Sequence, residues 1–541
     1  MLGVVYQSVS KSVKDCWVNR STFLYFCGMF VRKRRNRSGS TSVVVIDKSS
    51  GKPKELVCVG ISTDEREIET LVGKAQDWIL QYDGQTVLDF EGFGEASSKV
   101  DEMLDNIESA MINGTQLILN KVYDAVGFNA IDDDVLRNLV LARISQPGSK
   151  MATAAYLKAY YKEDVNHWRI YRYMDKLYNT QQEAVQRISV AHTMRVLGGR
   201  IGLMFYDVTS LYFETPARDD LRQPGFSKDG KTSESQIILG LLVSACGYPL
   251  SYAVFNGSQY EGRTMIPVID DFKQRFGLED FVVVADSGLM SKTNTRLLGD
   301  AGYKYIIGAR IRSESEAVKD WILSLDKVDG QLYERPYGKG ERLIVGYSAK
   351  RAAKEAHNRG QGVEKLRRRY ASGSLTKDKL NKHGYSKFLE ISKDVRVVIN
   401  QDKIDQDARW DGLKGYRTNT ELPAQTILDQ YHGLWVVERA FRVSKGNLEM
   451  RPMFHFTEKR IEAVCICFVA YKVYKELERV IQETGLNLSV DKVLDIAKTL
   501  VTLQVRIPGT DRVRTRTLFL TPEHQSLLPL FDHLGIKSQI G

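Results

Sequence analysis

The chain is poor in cysteine and has no long apolar run. Its 541 residues include only six cysteines, at positions 16, 27, 58, 246, 465 and 467, and the closest two are separated by a single residue. This spacing excludes a zinc knuckle and a redox Cys-x-x-Cys motif, and it is typical of a protein of the reducing cytoplasm. No apolar stretch reaches the ~18 residues that a membrane-spanning helix needs, so we expect no membrane partner.

The chain also lacks a clear secretory leader. Residues 22–30 (TFLYFCGMF) are apolar and follow three basic side chains, Lys11, Lys14 and Arg20. The basic sequence MFVRKRRNR overlaps the end of this stretch without a clear cleavage site, which argues against a signal peptide. Residues 1–28 still differ in character from the rest of the chain, and we predict that they are a non-native extension.

Acidic residues are in a small deficit. Asp and Glu together number 67, Lys and Arg together 77, and the formal net charge is +10. This balance favours a polyanionic partner such as nucleic acid, although a surplus of this size also occurs in proteins that bind none. Apolar residues make up 43% of the chain, enough for two or three cores, which excludes a disordered or fibrous protein. No internal repeat is present.

Two regions are predicted before residue 199. Residues 29–115 comprise a basic arm, a hairpin with its turn at residues 49–53, and a helix that begins after Thr63. Residues 116–198 are helical, with a break at residues 146–149 (QPGS) between two short helical segments. Basic and aromatic residues follow the break, as in a helix-turn-helix-like DNA-binding domain. A plain helical bundle fits the same pattern.

An α/β pattern begins at residue 199. The strand-like runs GLMFYD, QIILGLLVSA, YPLSYAVF and FVVVAD predict one mixed sheet over residues 199–309. Residues 310–415 are highly charged and interrupt this rhythm, which predicts an inserted domain before the core resumes over residues 416–458. Residues 459–541 are predicted to form a C-terminal helical region in which VTLQVRI and RTRTLFL pair as a hairpin.

Two aspartates are predicted to follow buried strands directly. Asp207 ends the run GLMFYD, and Asp286 ends the run FVVVAD. Burial of a carboxylate is costly unless a partner compensates, and two such strand ends in one sheet can bind a divalent metal through oxygen ligands. Each aspartate taken alone is better explained as a cap of the turn that comes after it, and only the pair favours a metal site.

A third acidic residue belongs to a polar heptad. Tyr431, Glu438 and Lys445 recur every seven residues, which is about two turns of a helix, so they are predicted to share one face. A heptad stripe that packs against another helix is normally apolar. The polar face therefore predicts a polar ligand, while Leu434 and Val437 supply packing.

The order of these residues resembles one large group of bacterial insertion-sequence transposases of the DDE type. In that group two aspartates at strand ends precede a glutamate within the motif Tyr-x2-Arg-x3-Glu-x6-Lys. The resemblance extends from Met29 to the C-terminal helices and is strongest in YDVTSLYFE, GFSKDGK, VVADSGLMS and YHGLWVVERAFRVSK. It implies a ribonuclease-H-like catalytic core of the α/β class with an inserted β-rich domain, preceded by a helical DNA-binding region and followed by C-terminal helices.

The resemblance assigns catalysis to three carboxylates. Asp207, Asp286 and Glu438 would bind two Mg²⁺ ions about 3.5–4 Å apart, with Mn²⁺ as a substitute. One ion would activate water or a DNA 3′-hydroxyl, and the other would stabilise the leaving oxygen of an in-line displacement.

The same resemblance predicts contacts with DNA phosphates near the element end. Tyr431 and Lys445 match the outer positions of the motif, as a hydroxyl donor and a point charge. The arginine position is Leu434 in this chain, which removes one contact that Arg439 or Arg442 would replace. Arg442 lies four residues after Glu438, so an ordinary ion pair on the helix is the alternative.

Further DNA contacts are predicted outside the motif. Lys228 belongs to the glycine-flanked loop GFSKDGK, which is also explained as a polar turn. Arg367 and Arg368 belong to a basic stretch of the insertion that favours contact with the DNA backbone, and such binding weakens with salt. Trp410 is the candidate for stacking on a flipped base.

These features together predict a transposase that binds the terminal inverted repeats of its element and target DNA. It would act as a homodimer in a synaptic complex, in the bacterial cytoplasm near the nucleoid. Proteins of the group begin at a methionine in a context like MFVRK, so deletion of residues 1–28 is expected to leave activity unchanged. The alternatives are a ribonuclease-H-like nuclease without strand transfer and an inactive DNA-binding protein.

Overall fold

The computed structural model divides into two compact units, Met1–Asn106 and Ile107–Gly541. The predicted extension 1–28 and Lys228 of the basic loop lie outside the residues that the structure describes. The described residues are 29–49, 51–82, 101–214, 217–226, 230, 233–289, 292–338, 340–372, 384–391, 397–451, 453, 458–461, 463–507, 510–537 and 539–540.

The first unit is a three-stranded antiparallel sheet with one helix packed on it. Its strands are β1 (Met29–Arg35), β2 (Thr41–Asp47) and β3 (Lys54–Ser62), with β2 in the middle. Helix α1 (Glu65–Tyr82) is amphipathic and buries Ile68, Ala75 and Ile79 against Val43 and Val45 of β2. The Asp64 carboxylate accepts a hydrogen bond from the Arg66 amide at 2.8 Å, which caps the start of the helix.

The second unit opens with strand β4 (Ile107–Ile112) and a group of helices. Between Ser145 and Lys150 the chain turns at Pro147 and Gly148, and the Ser149 hydroxyl accepts a hydrogen bond from the Ala152 amide at 3.2 Å. The helices are α2 (Gly114–Val126), α3 (Asp134–Ser145), α4 (Lys150–Tyr156), which continues as a π-helical turn at Leu157–Tyr161, α5 (His167–Thr180) and α6 (Gln182–Val196).

A nine-stranded mixed sheet forms the centre of this unit. Its strands in chain order are β5 (Leu203–Tyr212), β6 (Gln223–Pro224), β7 (Ser235–Ser244), β8 (Pro249–Asn256), β9 (Val282–Ala285), β10 (Lys304–Ala309), β11 (Leu332–Pro336), β12 (Arg342–Tyr347) and β15 (Leu413–Thr418). In spatial order, β11, β12, β15, β10, β9, β5 and β7 follow one another, and β6 and β8 both pair with β7.

Side chains alternate between the two faces of each strand, so both faces of the sheet carry apolar side chains, and helices cover both. Strands β5, β9 and β10 run parallel, and the other neighbouring pairs are antiparallel. On one face Met204 and Tyr206 of β5 pack in a core with helix α7 (Met265–Phe276), and helix α8 (Lys292–Asp300) follows β9. On the other face Phe205 joins a larger core that includes the helices after residue 423.

Residues 310–415 return to the main sheet. Strands β11, β12 and the first half of β15 fall within this segment, and β15 pairs with both β12 and β10. Helix α9 (Glu316–Leu323) packs against β12 and the start of β15. A separate small core, in which Val363 and Leu366 pack against Phe388 and Ile404, is formed by α10 (Ala349–Ala371), β13 (Leu389–Ile391), β14 (Val397–Ile399) and α11 (Gln401–Ala408).

The last part of the chain closes the helical layer. Helix α15 (Val464–Glu483) is buried along most of its length and packs against α2 and α3. Strands β16 (Val501–Arg506) and β17 (Val513–Leu518) pair antiparallel, which confirms the predicted hairpin, and β4 adds to their sheet. The other elements are α12 (Ala424–His432), α13 (Trp435–Lys445), α14 (Glu458–Ile461), α16 (Val490–Ala497), α17 (Pro522–Ser526), α18 (Leu528–His533) and β18 (Gln539–Ile540).

Candidate active site

Asp207 and Asp286 lie side by side where a parallel strand pair ends. The register of β5 and β9 runs to the pair Tyr206 and Ala285, and each aspartate is the next residue of its strand. Neighbouring strands are about 4.8 Å apart, so the sheet brings residues 79 positions apart in sequence to adjacent positions.

The predicted strand end at Asp207 is wrong. Strand β5 continues to Tyr212, and Asp207 pairs with Leu241 of β7 in the middle of that ladder. The strand continues because VTSLY, the five residues after Asp207, is rich in residues that favour extended backbone. Asp286, by contrast, directly follows the end of β9.

Glu438 comes to the two aspartates from a helix. It lies in the first turn of α13 and lines, with Asp207 and Asp286, a pocket of ≈ 420 Å³. The rest of the lining consists of Lys414, Tyr431, His432, Leu434, Trp435 and Val437. The structure therefore gathers at one pocket three carboxylates from two strands and one helix.

The polar heptad does not lie on one continuous helix. Tyr431 belongs to α12, whereas Glu438 and Lys445 belong to α13, and Gly433 and Leu434 lie between the two helices. A Cβ atom at Gly433 would lie 2.4 Å from Cζ of Phe205. Glycine at this position thus allows the helix junction to approach strand β5 closely.

Tyr431 is buried against Asp286. Its hydroxyl donates a hydrogen bond to Oδ1 of Asp286 at 2.8 Å, and only 4% of the residue is exposed. Burial, reinforced by the Asp286 charge, raises the pKa of the Tyr431 phenol well above its usual range, so it remains a donor at neutral pH. Gly308 of β10 provides the space, because a Cβ atom there would lie 2.5 Å from the hydroxyl.

Lys445 reaches the same strand that carries Asp207. Its ammonium group donates a hydrogen bond to the Thr209 hydroxyl, two residues after Asp207. Residues i and i+2 of a strand share a face, so Lys445 contacts the face of β5 on which Asp207 lies.

Lys414 is a pocket residue that sequence reasoning missed. It lies on β15, with its ammonium group 4.4 Å from the ring centroid of Tyr431. Burial and the Arg351 charge lower the pKa of Lys414, and the charges of Asp286 and Glu438 oppose this shift. The only sequence signal was its two-residue spacing from Tyr416, which carries meaning only once residues 413–418 are known to form a strand.

The donor set fits hard divalent cations. Asp207, Asp286 and Glu438 offer carboxylate oxygens, the ligand type that Mg²⁺ and Mn²⁺ prefer. One oxygen of Asp207 accepts a hydrogen bond from the Val208 amide at 2.8 Å. Across the described residues, no three His, Cys, Asp or Glu side chains are gathered closely enough to hold a metal ion. The pocket thus contains suitable ligand types at spacings wider than a shared ion requires.

The other predicted DNA contacts lie away from the pocket lining. Arg442 is exposed on α13, and Arg367 and Arg368 are exposed on α10, where Arg368 contacts Glu364 at 3.4 Å. Trp410 is half-buried against a small apolar core of the 310–415 segment. Arg439 is ion-paired with Glu478 of α15.

A second cavity adjoins the carboxylate pocket. It has a volume of ≈ 660 Å³ and shares Lys414 and His432 with that pocket. Lys350, Arg351 and Lys354, from the first turns of α10, line it together with the acids Asp329 and Glu355. Basic side chains are therefore in excess in the cavity next to the three carboxylates.

Residues 200–471 match the protein family described as transposase DDE domain. The match covers just over half of the chain and contains all three pocket carboxylates. The chain belongs to this family. It is accordingly a DDE transposase, a metal-dependent enzyme of DNA transposition, and transposases of this family use divalent metal ions.

Solved structures of other transposases show a distant resemblance to this transposase. A piggyBac transposase in a synaptic complex with hairpin DNA is 9% identical, with a TM-score of 0.38 over 71% of this chain and 76% of that one. A Mos1 transposase in a paired-end complex with the left transposon end is 10% identical, with a TM-score of 0.15 over 32% of this chain and 57% of that one. These values are too low to establish the fold by themselves.

No curated protein sequence matches the transposase. Within the part of the chain that the structure describes, no helix is both long and apolar enough to cross a membrane.

Proposed function

We propose that the transposase binds the terminal inverted repeats of a bacterial insertion sequence and catalyses both DNA cleavage and strand transfer. It would belong to the group with the Tyr-x2-Arg-x3-Glu-x6-Lys motif. The observation that supports this proposal is the pocket shared by Asp207, Asp286 and Glu438. These residues come from two strands and a helix that are far apart in sequence, and they are the ones the motif assigns to catalysis.

The three carboxylates would hold two Mg²⁺ ions, with Mn²⁺ as a substitute. Such ions polarise a phosphodiester and make water or a 3′-hydroxyl a stronger nucleophile at neutral pH. The chain's own residues prepare the ligands. Tyr431 holds one oxygen of Asp286 by its hydrogen bond, which leaves the second oxygen for another partner.

The domains predicted from the sequence are proposed as the functional parts. Residues 199–309 and 416–458 would form the ribonuclease-H-like core, residues 116–198 would bind the element end, and residues 310–415 would contact DNA beside the pocket. Two copies would synapse two ends as a homodimer. The DNA contacts proposed within these parts are Tyr431, Lys445, Arg442, Lys228, Arg367, Arg368 and Trp410.

Cleavage of a labelled duplex that carries the element's terminal repeat tests the proposal. Asp286→Asn and Glu438→Gln remove a charge with little change in shape, so both should abolish Mg²⁺-dependent cleavage. Asp280→Asn is the matched control, because Asp280 is an exposed acid at the other end of the same strand, paired with Arg200. It should cleave like the wild type.

The products separate the alternatives. Cleavage followed by joining to a second duplex supports the transposase reaction. Cleavage without joining under all conditions would favour a nuclease, and salt-sensitive binding without cleavage by any form would favour an inactive DNA-binding protein.

A further inference from the structure

The wall of the pocket has a leucine where the motif carries arginine. Leu434 is 9% exposed and lines the pocket beside Glu438. An arginine there would give a phosphate two or more charge-assisted hydrogen bonds, and leucine gives none. Without bound metal ions, a DNA phosphate that approaches Asp207, Asp286 and Glu438 is repelled by three negative charges unless basic side chains offset them.

The two arginines nearest in sequence do not replace the missing cation at this wall. Arg439 is held by Glu478 of α15 in an ion pair. Arg442 is exposed one turn further along α13 and does not line the pocket. Any replacement must therefore come from another element.

Lys414 supplies a cation from another element of the pocket. It projects from β15 into the same pocket as Leu434, and its ammonium group lies over the ring of Tyr431, which in turn contacts Asp286. A lysine ammonium group has three donors and a flexible stem, so it can hold a phosphate oxygen without a fixed fork geometry.

Lys414 also joins the pocket to the basic cavity. That cavity is lined by Lys350 and Lys354 of α10 and by Arg351, which is paired with Glu355, so further cations lie in the cavity next to Lys414. A row of cations on a concave surface is what binds a sugar–phosphate backbone, because each one neutralises a phosphate and releases a counterion.

We propose that Lys414 binds a backbone phosphate of the element-end DNA next to the cleavage site, and so replaces the arginine that the motif places at Leu434. The strand would continue from this phosphate into the cavity beside α10. This inference rests on the proposed function, because it takes the element end as the DNA in the pocket.

DNA binding in EDTA tests the inference without metal-dependent activity. Lys414→Gln should weaken binding of the terminal-repeat duplex severalfold and reduce the slope of log affinity against log salt by about one. Lys414→Arg should retain both. The double variant Lys414→Gln with Leu434→Arg should recover the slope, because the cation returns to the position that the motif gives it.

A matched control is Lys304→Gln. Lys304 is an exposed lysine at the opposite end of β10, with its ammonium group near the Asn419 carbonyl. It should leave affinity and salt slope unchanged.

A scan with single neutral methylphosphonates locates the contact on the wild-type protein. A methylphosphonate at one position next to the cleavage site should weaken DNA binding by the wild type. The same methylphosphonate should not weaken DNA binding by Lys414→Gln any further. This measurement keeps the proposal testable even if Lys414→Gln folds poorly, because a wild-type scan without a sensitive phosphate near the cleavage site refutes it.

Two negative results have different meanings. If the wild type binds and cleaves the element end while Lys414→Gln keeps the same salt slope and methylphosphonate profile, the inference about Lys414 is wrong and the proposed function stands. If the wild type neither binds nor cleaves the element end, both are wrong.

Discussion

The Asp286 carboxylate accepts a hydrogen bond from a phenol. Tyr431 donates to it from a buried position, and Gly308 leaves room for the hydroxyl. A buried hydrogen bond to a charged acceptor is among the stronger ones in a protein. The orientation of Asp286 therefore depends in part on an atom that comes from a distant helix.

Tyr431→Phe should reduce cleavage by about 10–100-fold, since loss of a partner that orients a metal ligand typically has this effect. The ring is kept, so the free energy of unfolding should change by only about 1 kcal/mol. Cleavage rates as a function of Mn²⁺ concentration would measure the effect, and a higher metal requirement is expected.

Tyr416→Phe is the control for Tyr431→Phe. The Tyr416 ring packs against Tyr431 with centroids 4.8 Å apart, but its hydroxyl does not contact Asp286. A loss of cleavage as large as that of Tyr431→Phe would show that the effect does not depend on the hydrogen bond between Tyr431 and Asp286.

Among elements, helix α15 stands out because it carries buried charge. The Glu476 carboxylate is 1% exposed and accepts a hydrogen bond from Tyr248 at 2.6 Å, with Arg479 and His192 as its other neighbours. Lys472, fully buried one turn before, donates to the Ser189 carbonyl of α6 at 3.0 Å. The helix is thus fixed to the core by paired polar groups as well as by apolar packing.

Glu476→Gln should destabilise the protein by about 3 kcal/mol at pH 6, because it leaves buried donors without their charged acceptor. Burial alone would raise the pKa of Glu476, but hydrogen bonds from His192, Arg479 and Tyr248 outweigh it and lower the pKa to about 2. The unfolded chain takes up the proton first, so this stabilisation is complete above pH ~4.5 and is lost as the pH falls towards 2.

Thermal unfolding at two pH values checks the sign for Glu476. The difference in Tm between the wild type and Glu476→Gln should be large at pH 6 and smaller at pH 3. Glu316→Gln, at an exposed position on α9, should show no such change. A difference that grows towards low pH would contradict the assignment.

Gly433→Ala should displace the junction of α12 and α13 from β5. The added methyl group would meet Phe205 at 2.4 Å, so either the ring or the helices must move. Overpacking of this kind costs about 1–3 kcal/mol, and cleavage should fall because Glu438 moves with α13. Gly299→Ala is the control, since a Cβ atom there has nothing within 4 Å.

Unfolding and cleavage measured together distinguish the two effects of Gly433→Ala. Lower stability with wild-type cleavage at low temperature would show that Glu438 does not depend on the junction. The control Gly299→Ala should be as stable as the wild type or slightly more so, because alanine favours helix.

The elements that sequence predicts well are those with a local pattern. The apolar runs before Asp207 and Asp286 indicated strands, and the VTLQVRI and RTRTLFL segments indicated a hairpin that the structure confirms. What local patterns do not contain is pairing at long range. Strand β15 pairs with β10 more than 100 residues earlier, and this pairing is what brings Lys414 to the pocket.

The heptad of Tyr431 shows a second limit of periodicity. Its spacing indicated one helical face, and the three side chains do meet the same two strands. The break at Gly433 could not be predicted from the sequence, because an isolated glycine is tolerated within a helix. Its close approach to Phe205 of β5 becomes evident only in the structure.

At the scale of the whole molecule, the surplus of 10 positive charges is not spread evenly. Helix α10 presents exposed basic side chains, including Arg367 and Arg368. A stripe of this kind adds to the non-specific part of DNA affinity and to its salt dependence.

Substitution of both Arg367 and Arg368 by Ala should reduce the slope of log affinity against log salt by about two, equally for element-end and unrelated duplexes. Fluorescence anisotropy at several salt concentrations would measure it. The control is the double variant Arg200→Ala with Arg296→Ala, because both arginines are exposed on the surface outside α10. If the control variant reduced the slope by the same amount, the salt dependence would reflect only the net charge of the protein and not the position of Arg367 and Arg368.

The inserted segment leaves the sheet and returns to it at one point. Tyr347 at the end of β12 is the direct partner of Leu413 at the start of β15, and the Ser348 amide donates to the Gly412 carbonyl at 3.0 Å. Residues 348–412 are therefore, for the sheet, one long hairpin loop with adjacent ends. Because its ends are adjacent, this loop can be exchanged or shortened while β12 and β15 keep their register.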